Sequence, residues 1–239
     1  MGRSVSFSAV LFAIFTLAGF WLSSARAADL ATPETATSAY IDAIARQDFQ
    51  AIIAVTAADN VSERFDFVAS SSRLQMLNPS YAMPPTNPFF VEINRGKFIG
   101  RISQEVQLLI YGLMTTDSLS KNSATRLDAK EASNVVSAVR ADRLKSLSLV
   151  KVGIPNPGLM GNKTHQANMA LTARNNGADE MTERVALLSF ENNQYAIGLT
   201  LLRYGKDWTV LSQASIAAAI KGLGDVKRVS AAEFEEILH

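Results

Sequence analysis

Apolar residues recur at three-to-four spacing up to about residue 145 of this chain, and at a spacing of two beyond it. Thr32-Pro33-Glu34 supplies an N-cap hydroxyl, a proline at the first helical position and an acid near the positive end of the helix dipole. Behind it Ala36, Ala39, Tyr40, Ala43 and Ile44 share one face, and Asp42 and Arg46 form a solvated i,i+4 pair opposite. Asp48 reads as the cap of a second short helix with Phe49, Ile52, Ile53 and Val55 as its apolar residues. Val61 to Leu77 has room for another short helix, after which Asn78-Pro79, Pro84-Pro85 and Asn87-Pro88 break regular structure. A helix over about 97–114 points Phe98, Ile99, Ile102, Val106, Leu109, Ile110 and Leu113 inward and Arg101, Gln104, Glu105 and Gln107 outward. Thr115 to Arg126 is polar and reads as a loop. A further helix over about 128–145 turns Ala132, Val135, Val136 and Val139 inward.

The period then changes. Leu147 to Ile154 reads as a strand closed by Pro155-Asn156-Pro157-Gly158. Thr164 to Arg174 alternates, with His165, Ala167, Met169, Leu171 and Ala173 on one face and Gln166, Asn168, Thr172 and Arg174 on the other. Asn175-Asn176-Gly177 offers a turn, and strands follow over 184–191, 194–204 and 208–215, linked by Asn192-Asn193 and Gly205-Lys206-Asp207. Ser230-Ala231-Ala232-Glu233 is a capping box that opens a last short helix. Helices followed by hairpin-linked strands predict an α+β domain, an antiparallel sheet with helices on one face. Its expected sections are N-terminal helices at 28–58, a helical section at 59–146, the sheet at 147–215 and a C-terminal helix at 216–239.

The first 27 residues fit none of this. Arg3 provides a positive start, an uncharged apolar run extends from Val5 to Leu22, and Ala25-Arg26-Ala27 is an A-x-A site. These are the parts of a secretory signal peptide, with cleavage between Ala27 and Ala28. The alternative is an uncleaved anchor, since the run approaches the ~20 residues that span a bilayer; Ser4, Ser6, Ser8, Thr16 and Gly19 dilute it. The chain has no cysteine for lipid attachment and no twin arginine, which points to the general secretory route and a periplasmic or secreted protein. Cleavage leaves 212 residues and removes two of the 23 basic residues against 22 acidic ones, so the net charge becomes −1. Such a chain has no electrostatic case for nucleic acid or an anionic membrane surface. Without cysteine it has no disulfide, thiol catalysis or thiolate metal site, and two histidines make a histidine-rich metal site implausible. No metal and no cofactor is expected.

Two segments resemble the NTF2-like superfamily, in which a curved antiparallel sheet wraps N-terminal helices into a cone. One is Thr32-Pro33-Glu34-Thr35-Ala36 with Tyr40 to Phe49, similar to the family's opening helix, polar link and second helix. The other is Gln194 to Ser215, where a long strand, a Gly-Lys-Asp turn and a Trp-led strand resemble its terminal hairpin. The resemblance implies a cone-like fold with a helical insertion at about 60–145 and an apolar pocket between sheet and helix. It implies no particular reaction, since that superfamily contains isomerases, dehydratases and binding modules.

Candidate chemistry is sparse. His165, on the same expected strand face as Met169 and Leu171, is placed to act as a general base at a cavity mouth. Its plainer reading is a strand-end histidine bonded to backbone or water, since no carboxylate stands at a telling spacing. Tyr40 and Asp42 are two apart on a helix and point in different directions, Tyr40 to the core and Asp42 to solvent. Trp208 packs on the helix layer or lines the cavity. The expected ligand-cavity residues are therefore Tyr40, Met169, Leu171 and Trp208. The expected function is non-catalytic: an exported protein binding a small apolar ligand or an envelope protein. The alternative is an isomerase-, dehydratase- or hydrolase-type enzyme with a sheet-lined cavity.

Overall fold

The computed structural model describes residues 28–115 and 126–239. The expected leader, Ala27 included, and residues 116–125 of the polar loop lie outside the described residues.

Helix α1 (Pro33–Ala45) starts where its cap chemistry places it. Thr32 Oγ1 accepts the Thr35 N–H and Thr35 Oγ1 accepts the Thr32 N–H, each at 3.1 Å, so two orphan donors of the first turn are satisfied reciprocally. Asp48 caps α2 (Phe49–Ala54) through the Ala51 N–H at 2.9 Å. Two short helices, α3 (Ala58–Arg64) and α4 (Phe67–Leu74), occupy the stretch where one was expected. The long helix α5 (Pro88–Met114) begins nine residues before the expected start. Asn87-Pro88, read as a break, is its N-cap and first residue: Asn87 Oδ1 accepts the Phe90 N–H at 3.1 Å.

The helix expected over 128–145 divides. Asp128 and Glu131 make a capping box for α6 (Ala129–Ala138), then the chain extends at Arg140 and tightens into a 3-10 turn over Ala141–Ser146. None of α6 is buried, and Val136, expected inward, is 75% exposed. The inward residue is Leu144 of the 3-10 turn.

The sheet contains β1 (Ser148–Gly153), β2 (Glu180–Phe190), β3 (Asn193–Tyr204), β4 (Asp207–Ser212) and β5 (Val226–Arg228). All pairings are antiparallel, in the order β1-β2-β3-β4, and β5 joins β3 beside Tyr195–Ile197, beyond the stretch that β4 pairs. The outer edge of β4 is covered: Ala57 N–H donates to Val210 O at 2.8 Å, Val210 N–H to Val55 O at 3.0 Å and Trp208 N–H to Leu30 O at 2.7 Å. Between β1 and β2 lie α7 (Pro157–Met160) and α8 (Lys163–Asn175), and α9 (Ala231–Ile237) ends the chain behind its Ser230–Glu233 capping box.

The strand expected over 164–174 is thus a helix. Asn162 Oδ1 caps it through the Thr164 and His165 N–H groups at 2.9 and 3.2 Å. His165, Met169 and Ala173 are four apart, a spacing that a strand face and a helix face both satisfy. Ala167 and Leu171, which only a strand would place with them, are exposed, while Met169 and Ala173 are buried.

Alternation sorts the sheet into two packed faces. Ala186, Leu188, Phe190, Ile197 and Leu199 join the main core with Tyr40, Ile41 and Ile44 of α1 and Phe98, Ile102 and Leu109 of α5. Val185, Leu187 and Ala196 face the other way, under Ala218, Ile220, Val229 and Phe234 of the C-terminal segment. That segment lies close on β3. A Cβ at Gly198 would come within 2.7 Å of the Ser215 backbone nitrogen, so this position requires glycine. No helix among the described residues is long and apolar enough to cross a membrane.

Candidate functional site

Two polar clusters are buried in this apolar framework. The first is built from α1, α5 and the chain just beyond β4. Glu105, expected to face solvent from α5, is fully buried. Its Oε2 accepts the Gln213 N–H at 2.9 Å, and its Oε1 lies 3.6 Å from Arg101 Nε, one helical turn back. Arg101 also donates to Leu211 O and sits over the Phe98 ring, 5.6 Å from its centroid. The turn that follows packs directly on this part of α5: at Gly224, with φ at +68°, a Cβ would come 2.5 Å from Glu105 O. Tyr40 reaches the same region from α1 and feels the Glu105 charge, and Thr37 stands one turn before it on the same helix.

Burial pushes the Glu105 carboxyl up to about 6, although the Arg101 charge and the Gln213 N–H pull it down. Burial, and then the neighbouring Glu105 charge, push the Tyr40 phenol well above its ordinary value, so it remains a neutral hydroxyl. Thr37 Oγ1, Tyr40 Oη, Arg101 Nε, Glu105 Oε1 and both side-chain amide atoms of Gln213 are buried without a hydrogen-bond partner among the described residues. Each such group costs about 1–3 kcal/mol when left unmade, and native interiors pair nearly all of theirs.

The second cluster lies on the other face of the sheet. Glu183 of β2 shares the face of Val185 and Leu187 and is buried. Its Oε2 accepts from Ser215 Oγ and, at 2.9 Å, from the Ala217 N–H; Ser215 Oγ in turn accepts the Ala218 N–H at 3.0 Å. Its Oε1 lies 3.1 Å from His165 Nε2 of α8, a close approach that does not make an aligned hydrogen bond. Histidine, acid and serine therefore meet, but with the acid in the middle. A nucleophilic triad needs the imidazole between acid and hydroxyl. Here the Ser215 hydroxyl is spent on Glu183, so the cluster clasps α8 and the C-terminal segment onto β2 instead of activating a nucleophile.

The other expected residues scatter. Tyr40 is in the main core at the first cluster, and Trp208 packs in that core at the start of β4, with the Arg203 guanidinium 5.9 Å from its ring centroid. Met169 is buried and Leu171 is 41% exposed, both on α8. Ala28 lines an open groove of about 890 Å³ between α1 and α2 with Asp42, Arg46 and Asp48, which shares no residue with either cluster. Among the described residues no group of three or more histidine or acidic side chains could hold a metal ion.

With this geometry in view, comparison with known proteins adds the fold alone. No protein-family model matches the chain, and no curated protein matches it. Among solved structures it is similar to a cystatin-like protein from Ruminococcus gnavus, with a TM-score of 0.53 and 18% identity over 86% of this chain. The fold is of that coarse α+β type. Helices pack against an open antiparallel sheet of five strands, as in cystatin-like and NTF2-like proteins. The present chain covers 42% of the length of that neighbour.

Proposed function

We propose that this is an exported, non-catalytic protein of the periplasm that binds a small ligand or another envelope protein. The observation that carries the reading is the set of buried, unpartnered polar atoms on Thr37, Tyr40, Arg101, Glu105 and Gln213. Glu105 accepts the Gln213 N–H, stands 3.6 Å from Arg101 and acts on Tyr40 through its charge, and buried groups of this kind are normally completed by hydrogen bonds from a ligand or water. Export rests on the apolar run between Arg3 and Arg26 and on the Ala25-Arg26-Ala27 site. The test is the native mass of the protein purified undenatured from its own envelope. A ligand gives an excess over the denatured mass; equal masses refute the reading.

A second reading, docking on another envelope protein, draws on a different surface. Val68, Met76, Leu77 and Phe89 are each more than 60% exposed, in a stretch from Phe67 to Val91 whose one charged residue is Arg73. Charge-introducing substitutions, Met76→Glu and Leu77→Glu, would abolish cross-links formed from this stretch in the intact envelope. Cross-links that survive them unchanged would refute docking here.

A further inference from the structure

We infer that α6 is a self-association surface, through which two copies of this chain pack antiparallel on Ala132, Val135 and Val136. Taken alone, the helix has little to hold it. It is ten residues long, none of them is buried, and Val136 is 75% exposed. Isolated helices shorter than ~12–15 residues are marginal in water, and most helical stability in proteins comes from a packed apolar face. Composition does not compensate, since Ser133, Asn134, Val135, Val136 and Ser137 are poor helix formers. Both ends are nevertheless fixed. Asp128 and Glu131 close the N-terminal capping box with two bonds of 2.8 Å. At the other end Arg143 Nη1 donates to Ala138 O at 2.6 Å, and its Nε and Nη2 donate to Glu191 on the β2–β3 turn at 2.7 and 2.8 Å. Val139 packs half-buried against the main core. The helix is thus held in place with Ala132 and Val136 facing outward.

Charge selects a second copy as the cover. Turned antiparallel about the midpoint between Val135 and Val136, two copies set Ala132 opposite Val139, Glu131 opposite Arg140 and Asp128 opposite Arg143. Arg140 and Arg143 already pair with Asp142 and Glu191 in their own chain, so the second copy extends existing ion pairs. One like pair, Arg126 opposite Lys145, falls beyond the helix ends at the exposed rim, where salt screens it. From Ala28 onward the chain carries a net charge of −1, so whole copies do not repel.

A helix of this length spans about 15 Å and covers less than a standard interface, so the dimer forms in the micromolar range and dissociates on dilution. Sedimentation equilibrium of the protein beginning at Ala28 should show the mass doubling between about 1 and about 500 µM. Val136→Glu should stay monomeric throughout, and Arg140→Glu should weaken association at least about fivefold. Both side chains are exposed, so the urea midpoint should not change. Met76→Glu, at a residue 61% exposed outside α6, should leave the dimer intact. The chain has no cysteine, so Val136→Cys supplies a single thiol near the two-fold axis. Under mild oxidation with copper phenanthroline it should form a disulfide-linked dimer at least about tenfold faster than Met76→Cys. A monomer at every concentration, a dimer that survives Val136→Glu, or equal loss with Met76→Glu overturns the inference. Equal cross-linking of the two single-cysteine variants overturns it too.

Discussion

Replacing Glu105 by glutamine should make the protein more stable at pH 8 than at pH 5, relative to wild type. Burial raises the folded-state carboxyl from 4.5 to about 6, so the native state binds its proton more tightly than the unfolded chain. The stability this contributes is fully present below pH 4.5 and is lost as the pH rises through 6. That rise corresponds to about 2 kcal/mol, more than half of which disappears between pH 5 and pH 8. Glutamine has nothing to titrate, and its carbonyl can still accept the Gln213 N–H. Arg101 retains Leu211 O and the Phe98 ring as partners. Any constant cost of the substitution cancels when the two pH values are compared.

Urea unfolding followed by circular dichroism supplies the measurement. With a slope of about 2 kcal/mol per molar, the midpoint difference between mutant and wild type should grow by roughly half a molar in the mutant's favour from pH 5 to pH 8. Tyr40 does not contaminate the comparison, because its phenol stays neutral across this range. A midpoint difference that is the same at both pH values, or that moves toward wild type at pH 8, refutes the account of Glu105 as an acid buried at a cost.

Two further outcomes follow from other parts of the molecule. Glu183→Ala leaves the Ser215 hydroxyl and the Ala217 N–H without their shared acceptor and removes the carboxylate beside His165, and should destabilise the fold by about 3–5 kcal/mol in urea unfolding; a loss below about 1 kcal/mol, the size of a surface pair, would show that the clasp does not hold α8 and the C-terminal segment. Sequencing the N-terminus of the protein recovered from the envelope should return Ala28-Asp29-Leu30, whereas Met1 or Gly2 would establish a retained anchor.

Elements whose signals are local were legible in the chain. Thr32, Asp48, Asp128 and Ser230 each cap a helix three residues or fewer from the backbone they bind. The strands from residue 184 onward alternate against turns marked by glycine or asparagine. Helix α8 was not legible as a helix, because a four-residue interval satisfies both periods and only the burial of neighbours tells them apart. The two buried acids were missed for a different reason. Spacing already places Glu105 in the α5 stripe, between Phe98 and Ile102 on one side and Leu109 and Gly112 on the other; its charge argued for solvent and prevailed. Likewise Glu183 stands two residues before Val185 and four before Leu187, on the face those residues bury. Neither partner was visible locally, since Gln213 lies 108 residues from Glu105 and Ser215 lies 32 from Glu183. At Glu105 periodicity and polarity disagreed and periodicity was right, whereas Glu183 lay one residue before the strand expected over 184–191. A carboxylate that breaks an apolar stripe without moving out of it has to be met inside by donors from elsewhere in the chain. The Glu105 and Glu183 clusters are each centred on such a residue.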